Sequence, residues 1–422
     1  MTIWQDFKQR GFFKQCTDEA GLAGAGAGKS LTGYIGFDPT ADSFHAGHLI
    51  PLMSLVRFQR AGHRPIALMG VGTAMIGGPT GKNEMRKMLS EEQLSVNLEG
   101  MKRQLERLLD FEGGDVKENG TLTENKALMV NNADWLRGLN YLDFLREIGP
   151  HFSVNRMLTF ETFKMRLEGP GLSFIEFNYP LLQSYDFLEL YRRHGCLLQM
   201  GGDDQWANII SGVDLVRRLE RTTVYGWTFP LHTTASGAKM GKTEKGAVWL
   251  DPNKTNPYEY YQYWINTDDA DVGRCLRLFT LLDEEEIAVL EPLQGADIRA
   301  AKQKLAYETT ALVHGAEEAA RAEKGARALF SGGSGEGDLS EAPTTTLDAN
   351  RLAGGLAVWE ILPEVGLAKS RGEARRLIKQ GGVSVNAERI TGENFSLAPE
   401  HVRDGAILLR VGKKKYHRLL VG

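Results

Sequence analysis

Residues 31–48 read Leu-Thr-Gly-Tyr-Ile-Gly-Phe-Asp-Pro-Thr-Ala-Asp-Ser-Phe-His-Ala-Gly-His, and this stretch decides the fold. Residues 31–37 are typical of a buried strand, and after a polar turn residues 49–61 follow the pattern of an amphipathic helix. Short apolar runs at 65–69 and at 196–200, the second of which enters a Gly-Gly turn, are also typical of strands. Strands that alternate with helices predict a parallel sheet covered by helices, with a site at the carboxyl ends of its strands.

The end of the first strand carries groups suited to an anionic ligand. Gly36 lets a ligand approach the backbone, Gly47 leaves room for a nucleotide against the helix, and Thr40 adds a hydroxyl donor. His45 and His48 stand three residues apart at the helix N-terminus, where the helix dipole already favours negative charge. A pair of histidines at this spacing is also compatible with capping, with core packing or with a zinc site, although no third zinc ligand lies nearby.

A second basic motif lies about 190 residues further along. Residues 239–243 read Lys-Met-Gly-Lys-Thr, and the small residues around them at 235–245 predict a mobile loop. Lys239 and Lys242 could neutralise charge that moves onto pyrophosphate, although a solvated basic loop would look the same. The two motifs together indicate an enzyme that activates a carboxylate with ATP.

Two glycine-rich stretches are further candidates for phosphate binding. Residues 76–86 resemble an anion-binding turn that places Lys82 and Arg86 on one helical face. Residues 23–30 nearly match a P-loop, but a P-loop follows a strand and opens a helix, whereas this run precedes a strand. We therefore predict a surface turn at 23–30.

A later helical segment carries polar groups in apolar surroundings. Tyr179, Gln183 and Asp186 are spaced by four and three residues, so they share one helix face. Leaving such groups unpaired among Phe and Leu is costly, so a polar ligand is favoured over a surface stripe. Asp204 and Gln205 follow a strand end and could bind ribose hydroxyls or an amino acid headgroup.

The composition limits the class of protein. The hydrophobic fraction of 42% and the charged fraction of 25% are ordinary for a globular chain of 422 residues. No apolar run reaches the roughly 18 residues of a membrane span, and the N-terminus lacks the layout of a signal peptide. Cys16, Cys196 and Cys275 lie far apart, which excludes a disulfide framework and a cysteine zinc site and favours a cytoplasmic location.

The carboxyl-terminal part differs from the rest of the chain in composition and in charge. Helical patterns occupy 284–293 and 298–329, and the Gly-, Ser- and Thr-rich stretch 331–350 predicts a linker. Residues 366–422 hold twelve basic and five acidic residues, although the whole chain has a net charge of −4. A basic module on an acidic body predicts a polyanionic partner.

The basic module has a predicted helix at its centre. Residues 370–380 form this helix, with Ser370 as N-cap and Glu373 completing a capping box. Gly381 and Gly382 are expected to end it, and a strand follows at 383–386.

Taken together, these motifs resemble those of the bacterial tyrosyl-tRNA synthetases, a family of class I aminoacyl-tRNA synthetases. Residues 34–48 look like the first signature of the family, residues 239–243 like the second, and residues 199–206 like its nucleotide-side loop. The resemblance covers nearly the whole chain. It implies a homodimer that activates L-tyrosine with ATP, accompanied by Mg²⁺, and transfers it to the 3′ end of tRNA(Tyr), with no metal site made by the protein alone.

The resemblance also implies a division into domains. It predicts an α/β, Rossmann-like parallel-sheet catalytic domain at 1–250, with a connective, dimer-forming insert at about 125–190. A helical domain at 251–330, the linker at 331–350 and a small α+β RNA-binding domain of the S-four type at 351–422 would follow.

Each matching residue takes a role from the family. Tyr34 and Asp186 would hydrogen-bond the phenolic hydroxyl of the substrate, and Tyr179 and Gln183 would hold its amino group. The other residues expected around the amino acid and the adenylate are Asp38, Asn132, Gln199 and Gln205. Those expected to contact ATP are Gly36, His45, Gly47, His48, Asp204, Lys239, Met240 and Lys242. The expected catalytic groups, which act on the phosphates, are Thr40, His45, His48, Lys82, Arg86, Lys239 and Lys242. The expected RNA phosphate contacts are Lys369, Arg371, Arg375, Arg376 and Lys379.

One position departs from the family pattern. Gly78 stands where members usually have an aspartate that contacts the substrate ammonium. We hypothesise that Tyr179 and Gln183 suffice for the ammonium, or that another carboxylate replaces the missing one. Gly78 also favours the alternative of an RNA-binding relative without catalysis. A tryptophanyl-tRNA synthetase would share the fold and signatures, but Tyr34, Asp186 and the basic module argue against it.

Overall fold

The fold is taken from a computed structural model. It describes residues 1–77, 89–111, 125–169, 171–231, 240–243, 246–331, 344–386, 388–403, 405–412 and 415–422. The chain divides into two compact units. The first consists of Met1–Asn256 and Tyr263–Val313, and the second of Pro257–Gln262 and His314–Gly422.

The regular elements are numbered in chain order. The strands are β1 (Gln15–Cys16), β2 (Thr32–Phe37), β3 (Arg64–Met69), β4 (Leu128–Asn131), β5 (Leu198–Gly202), β6 (Tyr225–Phe229), β7 (Lys242–Thr243), β8 (Gly246–Ala247), β9 (Thr344–Leu347), β10 (Leu356–Ala357), β11 (Val383–Val385), β12 (Glu388–Ile390), β13 (Ser396–Leu397), β14 (Ala406–Val411) and β15 (Lys415–Val421). The α-helices are α1 (Ile3–Arg10), α2 (Glu19–Ala25), α3 (Leu49–Arg60), α4 (Val71–Met75), α5 (Glu91–Leu108), α6 (Ala133–Leu136), α7 (Tyr141–Glu147), α8 (Val154–Met157), α9 (Glu161–Glu168), α10 (Phe174–His194), α11 (Trp206–Glu220), α12 (Pro257–Ile265), α13 (Val272–Phe279), α14 (Glu284–Leu290), α15 (Ile298–His314), α16 (Ala316–Ser331), α17 (Ala349–Ala353), α18 (Val358–Glu364) and α19 (Arg371–Lys379).

The first unit is built on a six-stranded sheet in the order β1-β6-β5-β2-β3-β4. The five strands β2 to β6 are parallel, and β1 joins the edge antiparallel to β6. The chain runs from β2 to β3 and β4 on one side and then crosses to β5 on the other side of β2. The strand order therefore reverses between β2 and β5, and ligands bind at such a switch point in open parallel sheets. The predicted parallel sheet with helices is confirmed.

Helix α3 supports the sheet behind the first strand. Gly33 of β2 allows this close packing, because a Cβ there would lie 3.1 Å from the ring of Phe58. The predicted amphipathic pattern of α3 is wrong, since every residue of the helix except Pro51 and Arg60 is buried. The reason is that α3 contacts α1, α5 and α13 as well as the sheet, so it has almost no solvent face.

Helix α10 presents the predicted polar face to the site. Its N-cap Ser173 and Glu176 form a capping box, and Gly195 ends the helix in the left-handed region with φ +60°. Pro180 is accommodated in its second turn, and the helix continues to His194. The prediction that Tyr179 and the two polar residues after it share one helix is confirmed.

Two local predictions are corrected in this unit. The Gly-Gly pair is part of β5 and not a turn, because Gly201 and Gly202 pair with Thr228 and Phe229 of β6. The predicted surface turn at 23–30 is wrong for its first three residues, which form the end of α2.

The second unit contains a five-stranded sheet in the order β12-β11-β14-β15-β9. Its core is formed by buried aliphatic residues of the strands and of α17, α18 and α19. The expectation of a linker at 331–350 is wrong at residue 331, which ends α16. It is also wrong for residues 344–350, because β9 pairs in parallel with β15 and α17 begins at Ala349. The three consecutive Thr residues at 344–346 favour such an edge strand, although the glycine-rich run before them suggested a linker.

Helix α19 begins and ends as the sequence predicts, with one difference at its cap. The Ser370 hydroxyl accepts a hydrogen bond from the Glu373 N–H, 3.2 Å away. The Glu373 carboxylate, however, accepts from the N–H of Lys369 and not from that of Ser370. Gly381 follows the helix with φ +64°.

The expectations about membrane-spanning helices and about disulfides both concern the described part of the chain. No helix within it is long and apolar enough to span a membrane. All three cysteines fall in it and carry free thiols.

Candidate active site

The two strands at the switch point place two unsatisfied polar groups side by side. Tyr34 of β2 and Gln199 of β5 are register partners, so their side chains leave the sheet on the same face. The Tyr34 hydroxyl and the Gln199 amide oxygen are buried and have no hydrogen-bond partner among the described residues. Burial, followed by the nearby charge of Asp186, raises the pKa of Tyr34 well above its usual range. Unpaired buried polar atoms are costly, so they mark a place where a ligand completes the hydrogen bonding.

Asp186 of α10 is held in place by two donors. Its Oδ1 accepts from Trp135 Nε1 at 2.8 Å, and its Oδ2 accepts from Asn132 Nδ2 at 3.1 Å. Burial raises its pKa from 3.8 to about 7, and the hydrogen bonds from Asn132 and Trp135 partly offset that shift. A second hydrogen bond to either oxygen is compatible with this arrangement, since an ionised carboxylate can accept about four.

Asp38 continues this network at the end of β2. Its Oδ2 accepts from the Tyr179 hydroxyl at 3.0 Å, and its Oδ1 lies 2.9 Å from the Thr73 hydroxyl. Asn132 Nδ2 donates to the same threonine oxygen at 3.2 Å. The chain of contacts from Tyr179 through Asp38 and Thr73 to Asn132 reaches Asp186, so the carboxylates are positioned as one unit.

Sequence reasoning missed two members of this network, Thr73 and Trp135. Thr73 lies in α4, directly after β3, and Trp135 lies in α6, directly after β4. Polar residues that follow strand ends were a usable signal for Thr73. No signal was available for Trp135, because β4 is short and half-buried and its strand was not predicted.

A cluster of amides lies between α10 and the start of α11. Asn208 Nδ2 donates to Gln183 Oε1 at 2.8 Å and to Gln205 Oε1 at 3.3 Å. Gln205 also donates to Asp204 at 3.2 Å, and Asp204 is exposed at the carboxyl end of β5. The cluster brings the predicted residues Gln183, Gln205 and Asp204 together and adds Asn208, which the sequence did not single out.

The two histidines of the first signature cap a short 3-10 helix, Ala46–His48. His45 Nδ1 accepts from the Gly47 N–H at 3.0 Å, and His48 Nδ1 accepts from the His45 N–H at 3.2 Å. A neutral imidazole whose Nδ1 accepts carries its proton on Nε2. Capping, which was an alternative to anion binding, therefore fixes the tautomer that a phosphate-binding histidine needs.

The two signature motifs meet through their glycines. Gly241 has φ +78°, and a Cβ on it would overlap the backbone nitrogen of Gly47. A Cβ on Gly47 would in turn lie 2.9 Å from the Met240 carbonyl oxygen and 2.8 Å from the His45 ring. Contact between main chains at this distance requires glycine on both sides.

Backbone hydrogen bonds extend this contact. Val248 donates to the Gly241 carbonyl at 3.0 Å and accepts from Ala46 at 2.8 Å. Leu250 donates to the Phe44 carbonyl at 2.9 Å. Gly36 and Thr40, which are exposed at the end of β2, complete the described groups on this side.

Several predicted residues fall outside the described residues. They are Gly78, Lys82, Arg86, Lys239 and the side chain of Lys242. Their roles stay predictions.

In the second unit, helix α19 carries four of the five predicted RNA contacts on its exposed side, and Lys369 lies just before the helix. Ala374 and Ile378 are buried against the core. The predicted cations, all exposed, are Lys369, Arg371, Arg375, Arg376 and Lys379. The Arg375 guanidinium lies 4.0 Å from the centroid of the Trp359 ring, and that of Arg371 lies 5.7 Å from it. Two of the five cations are thus oriented by one indole.

Two family profiles match the chain. The family described as tRNA synthetases class I (W and Y) matches residues 27–331. The family described as the tyrosine–tRNA ligase SYY-like C-terminal domain matches residues 337–419.

Individual relatives match over the full length. A tyrosine–tRNA ligase of Clostridium botulinum (strain 657, type Ba4) is 52% identical over 425 residues, covering 100% of both chains. A tyrosine–tRNA ligase of Clostridium kluyveri is 52% identical over 419 residues, covering 99% of both. Among solved structures, a C-terminally truncated mitochondrial tyrosyl-tRNA synthetase of Aspergillus nidulans is similar, with a TM-score of 0.68 and 31% identity. That likeness covers 78% of this chain and 94% of the other.

Proposed function

The chain belongs to the tyrosine–tRNA ligase family of class I tRNA synthetases, and we propose how its own residues carry out the activity. The reaction has two steps. L-Tyrosine and ATP form tyrosyl-adenylate and pyrophosphate, and the tyrosyl group then passes to the 3′ end of tRNA(Tyr).

The observation that carries this assignment is the unsatisfied Tyr34 hydroxyl beside Asp186. In the proposed complex the substrate phenol donates to the Asp186 carboxylate and accepts from Tyr34. This fit is supported by the hydrogen bonds from Asn132 and Trp135, which leave Asp186 oriented but with acceptor capacity to spare. Phenylalanine would leave both groups buried without a partner, which is the costly arrangement.

Activation requires positioning and charge compensation. A tyrosine carboxylate oxygen attacks the α-phosphorus of ATP, a bond to it forms, and the bond from that phosphorus to pyrophosphate breaks. No general base is needed, because the amino acid carboxylate is already ionised. In our proposal His45 and His48 donate through Nε2 to phosphate oxygens, together with Thr40, Lys82, Arg86, Lys239 and Lys242. ATP enters as its Mg²⁺ complex, so the ion is part of the substrate.

The remaining predicted residues would contact the nucleotide and the backbone atoms of the amino acid. Gly36 and Gly47 leave space for the nucleotide, Met240 lies beside it, and Asp204 accepts from ribose hydroxyls. Gln199 and Gln205 line the amino acid and the adenylate.

We propose that Asp38 supplies the negative charge for the substrate ammonium in place of an aspartate at position 78. Support comes from its contacts with Tyr179 and Thr73, which orient the carboxylate at the end of β2. Asp38→Asn should raise the KM for tyrosine, and Gly78→Asp in that background should restore it. A Gly78→Asp variant of the parent chain that alone lowers the KM markedly would mean that Asp38 does not fill the role.

The proposed assembly is a homodimer. Support comes from the first unit, where seven exposed large apolar residues fall within 34 positions: Tyr141, Leu142, Leu145, Val154, Met165, Leu167 and Phe174. Phe174→Asp should shift the sedimentation coefficient to that of a monomer. Val289→Asp, at an exposed apolar residue elsewhere, should leave it unchanged.

The exposed cations of α19 are proposed to contact tRNA phosphates. Phosphate contacts position an RNA and make its affinity dependent on salt. The requirement for tRNA, together with the three free thiols, supports a cytoplasmic location for the enzyme.

The central test is ATP–pyrophosphate exchange with the purified full chain. Exchange should depend on L-tyrosine, and tryptophan and phenylalanine should support it weakly or not at all. Exchange with tryptophan would favour a tryptophanyl enzyme. An absence of exchange with every amino acid, combined with retained tRNA binding, would favour an RNA-binding relative without catalysis.

A further inference from the structure

We propose that Tyr263 is a positioning residue for the activation step, because its hydroxyl holds the second signature motif against the first. The proposal rests on the function proposed above. Tyr263 lies in α12, 22 positions after Gly241, and belongs to neither signature.

The contact that carries this inference is a single hydrogen bond. The Gly241 N–H donates to the Tyr263 hydroxyl oxygen at 3.0 Å. The carbonyl of Gly241 accepts from Val248 at 3.0 Å, so both backbone polar groups of this glycine have partners. Gly241 is buried and packs directly on the backbone of Gly47. Loss of the tyrosine hydroxyl would leave a buried N–H without its acceptor.

The phenol is held in a fixed place. Its ring packs edge-on against the buried indole of Trp264, with centroids 5.1 Å apart. Trp264 in turn packs against Phe279 of α13, also at 5.1 Å. Burial raises the pKa of Tyr263, so the hydroxyl stays neutral over the physiological range and accepts as a phenol.

This hydrogen bond matters for catalysis because Gly241 lies between the two lysines of the second signature. Lys239 lies two residues before Gly241 and Lys242 directly after it. Fixing the amide of Gly241 therefore restricts where the Cα atom of Lys242 can lie relative to His45 and Gly47. A shift of a reacting or charge-stabilising group by about 1 Å costs a large factor in rate. Tyr263 should therefore affect pyrophosphate formation and not the recognition of tyrosine.

The experiment removes only the hydroxyl, with Tyr263→Phe in the full chain. The first step is measured by tyrosine-dependent ATP–pyrophosphate exchange, and the second by transfer from preformed adenylate to tRNA. Loss of one neutral hydrogen bond should lower kcat of the first step about 5-fold. The second step and the dissociation constant for tyrosine should stay within about 1.5-fold of the parent values.

A matched control is Tyr191→Phe. Tyr191 also makes one hydrogen bond, in which its hydroxyl donates to Thr222 Oγ1 at 3.1 Å, but it lies before β5, and Thr222 lies before β6, at the amino-terminal ends of the strands. This variant should leave both steps unchanged.

The outcomes separate clearly. An unchanged first step in Tyr263→Phe, or equal slowing of both steps, would overturn the positioning role while the proposed function stands. A parent enzyme without tyrosine-dependent exchange would instead overturn the function and, with it, the premise of this inference.

Discussion

The two halves of the site are held together by different means. On the tyrosine side, buried and half-buried side chains from α4, from α10 and from the N-cap of α6 hydrogen-bond one another around Asp38 and Asp186. On the phosphate side, the contact between Gly47 and Gly241 is made by main chain on main chain. A network of side chains can discriminate one hydroxyl group, whereas a backbone contact can release and reform without desolvating a charge. The comparison predicts that substitutions on the two sides separate amino acid binding from catalysis.

The largest effect is expected from Gly241→Ala. The new Cβ would overlap the Gly47 nitrogen, and alanine at φ +78° is also strained. Adenylate formation, measured by pyrophosphate exchange, should slow by at least about 100-fold. The dissociation constant for tyrosine, measured by equilibrium dialysis, should not change.

Gly246→Ala separates backbone strain from atomic overlap, because Gly246 lies in β8, which pairs with β7 directly after Gly241. Gly246 has φ +118°, but a Cβ there would have no atom of the described residues within 4 Å. Its exchange rate should fall much less than that of Gly241→Ala. Equal loss in the two variants would mean that backbone strain, and not the contact with Gly47, explains the effect.

The tyrosine side is tested by Asp186→Ala. This change removes the proposed acceptor for the substrate phenol, leaves Trp135 Nε1 without its acceptor and takes one of two acceptors from Asn132 Nδ2. We expect kcat/KM for tyrosine to fall about 30-fold or more, with little change in ATP affinity. Asp134→Ala, which removes an exposed carboxylate beside Trp135, is the control and should behave as the parent. Equal damage to tyrosine and ATP use by Asp186→Ala would contradict the assignment.

The sequence was sufficient to predict three strands of the sheet, β2, β3 and β5, and the polar residues that share one face of α10. A strand that ends in Gly-Phe-Asp-Pro and leads into the two histidines is a local signal, and so is the polar face of α10. The contact between Gly47 and Gly241 joins residues about 190 positions apart, and no local pattern encodes such a distance. Trp135 was missed for the same reason, whereas the place of Thr73 directly after β3 was a usable local signal.

The burial of α3 and the strand β9 have a different explanation. Both depend on what packs around them: α3 is enclosed by three other helices, and β9 pairs with the last strand of the chain. The local sequence of α3 or of β9 does not reveal which elements pack against it.

The pH dependence of tyrosine binding would sharpen the comparison further. The pKa of Asp186 is raised by burial to about 7, so the carboxylate is mostly ionised above that pH and protonated below it. If the phenol donates to the ionised form, tyrosine should bind about 10-fold more weakly at pH 6 than at pH 8. Asp186→Asn should bind weakly at both values, with no dependence on pH. A parent affinity that stays constant over this range would rule out the ionised acceptor.

The same shift predicts a stability effect of defined sign. The folded-state pKa of Asp186 lies above its ordinary value of 3.8, so the folded protein holds this proton more tightly than the unfolded chain. The contribution of Asp186 to the free energy of unfolding is therefore greatest at low pH and falls as pH rises from about 4 to about 7. Comparing Asp186→Asn with the parent by urea unfolding across this window isolates the contribution.

The smallest effect is expected in the second unit, where a third way of fixing a functional group occurs. Arg375 lies on the surface and is oriented by the face of Trp359, 4.0 Å away, and not by a buried network or a backbone contact. A cation–π contact at an exposed site contributes about 0.5–1 kcal/mol, so Trp359→Leu should weaken tRNA binding about 2- to 5-fold and leave activation unchanged. Arg375→Ala should weaken it further and reduce the slope of log affinity against log salt by about one. Because the indole acts mainly through Arg375 and only at longer range on Arg371, Trp359→Leu should add little in the Arg375→Ala background. Additive losses in that double variant would show that Trp359 contacts the RNA itself, and orientation of the arginine would then not be its role.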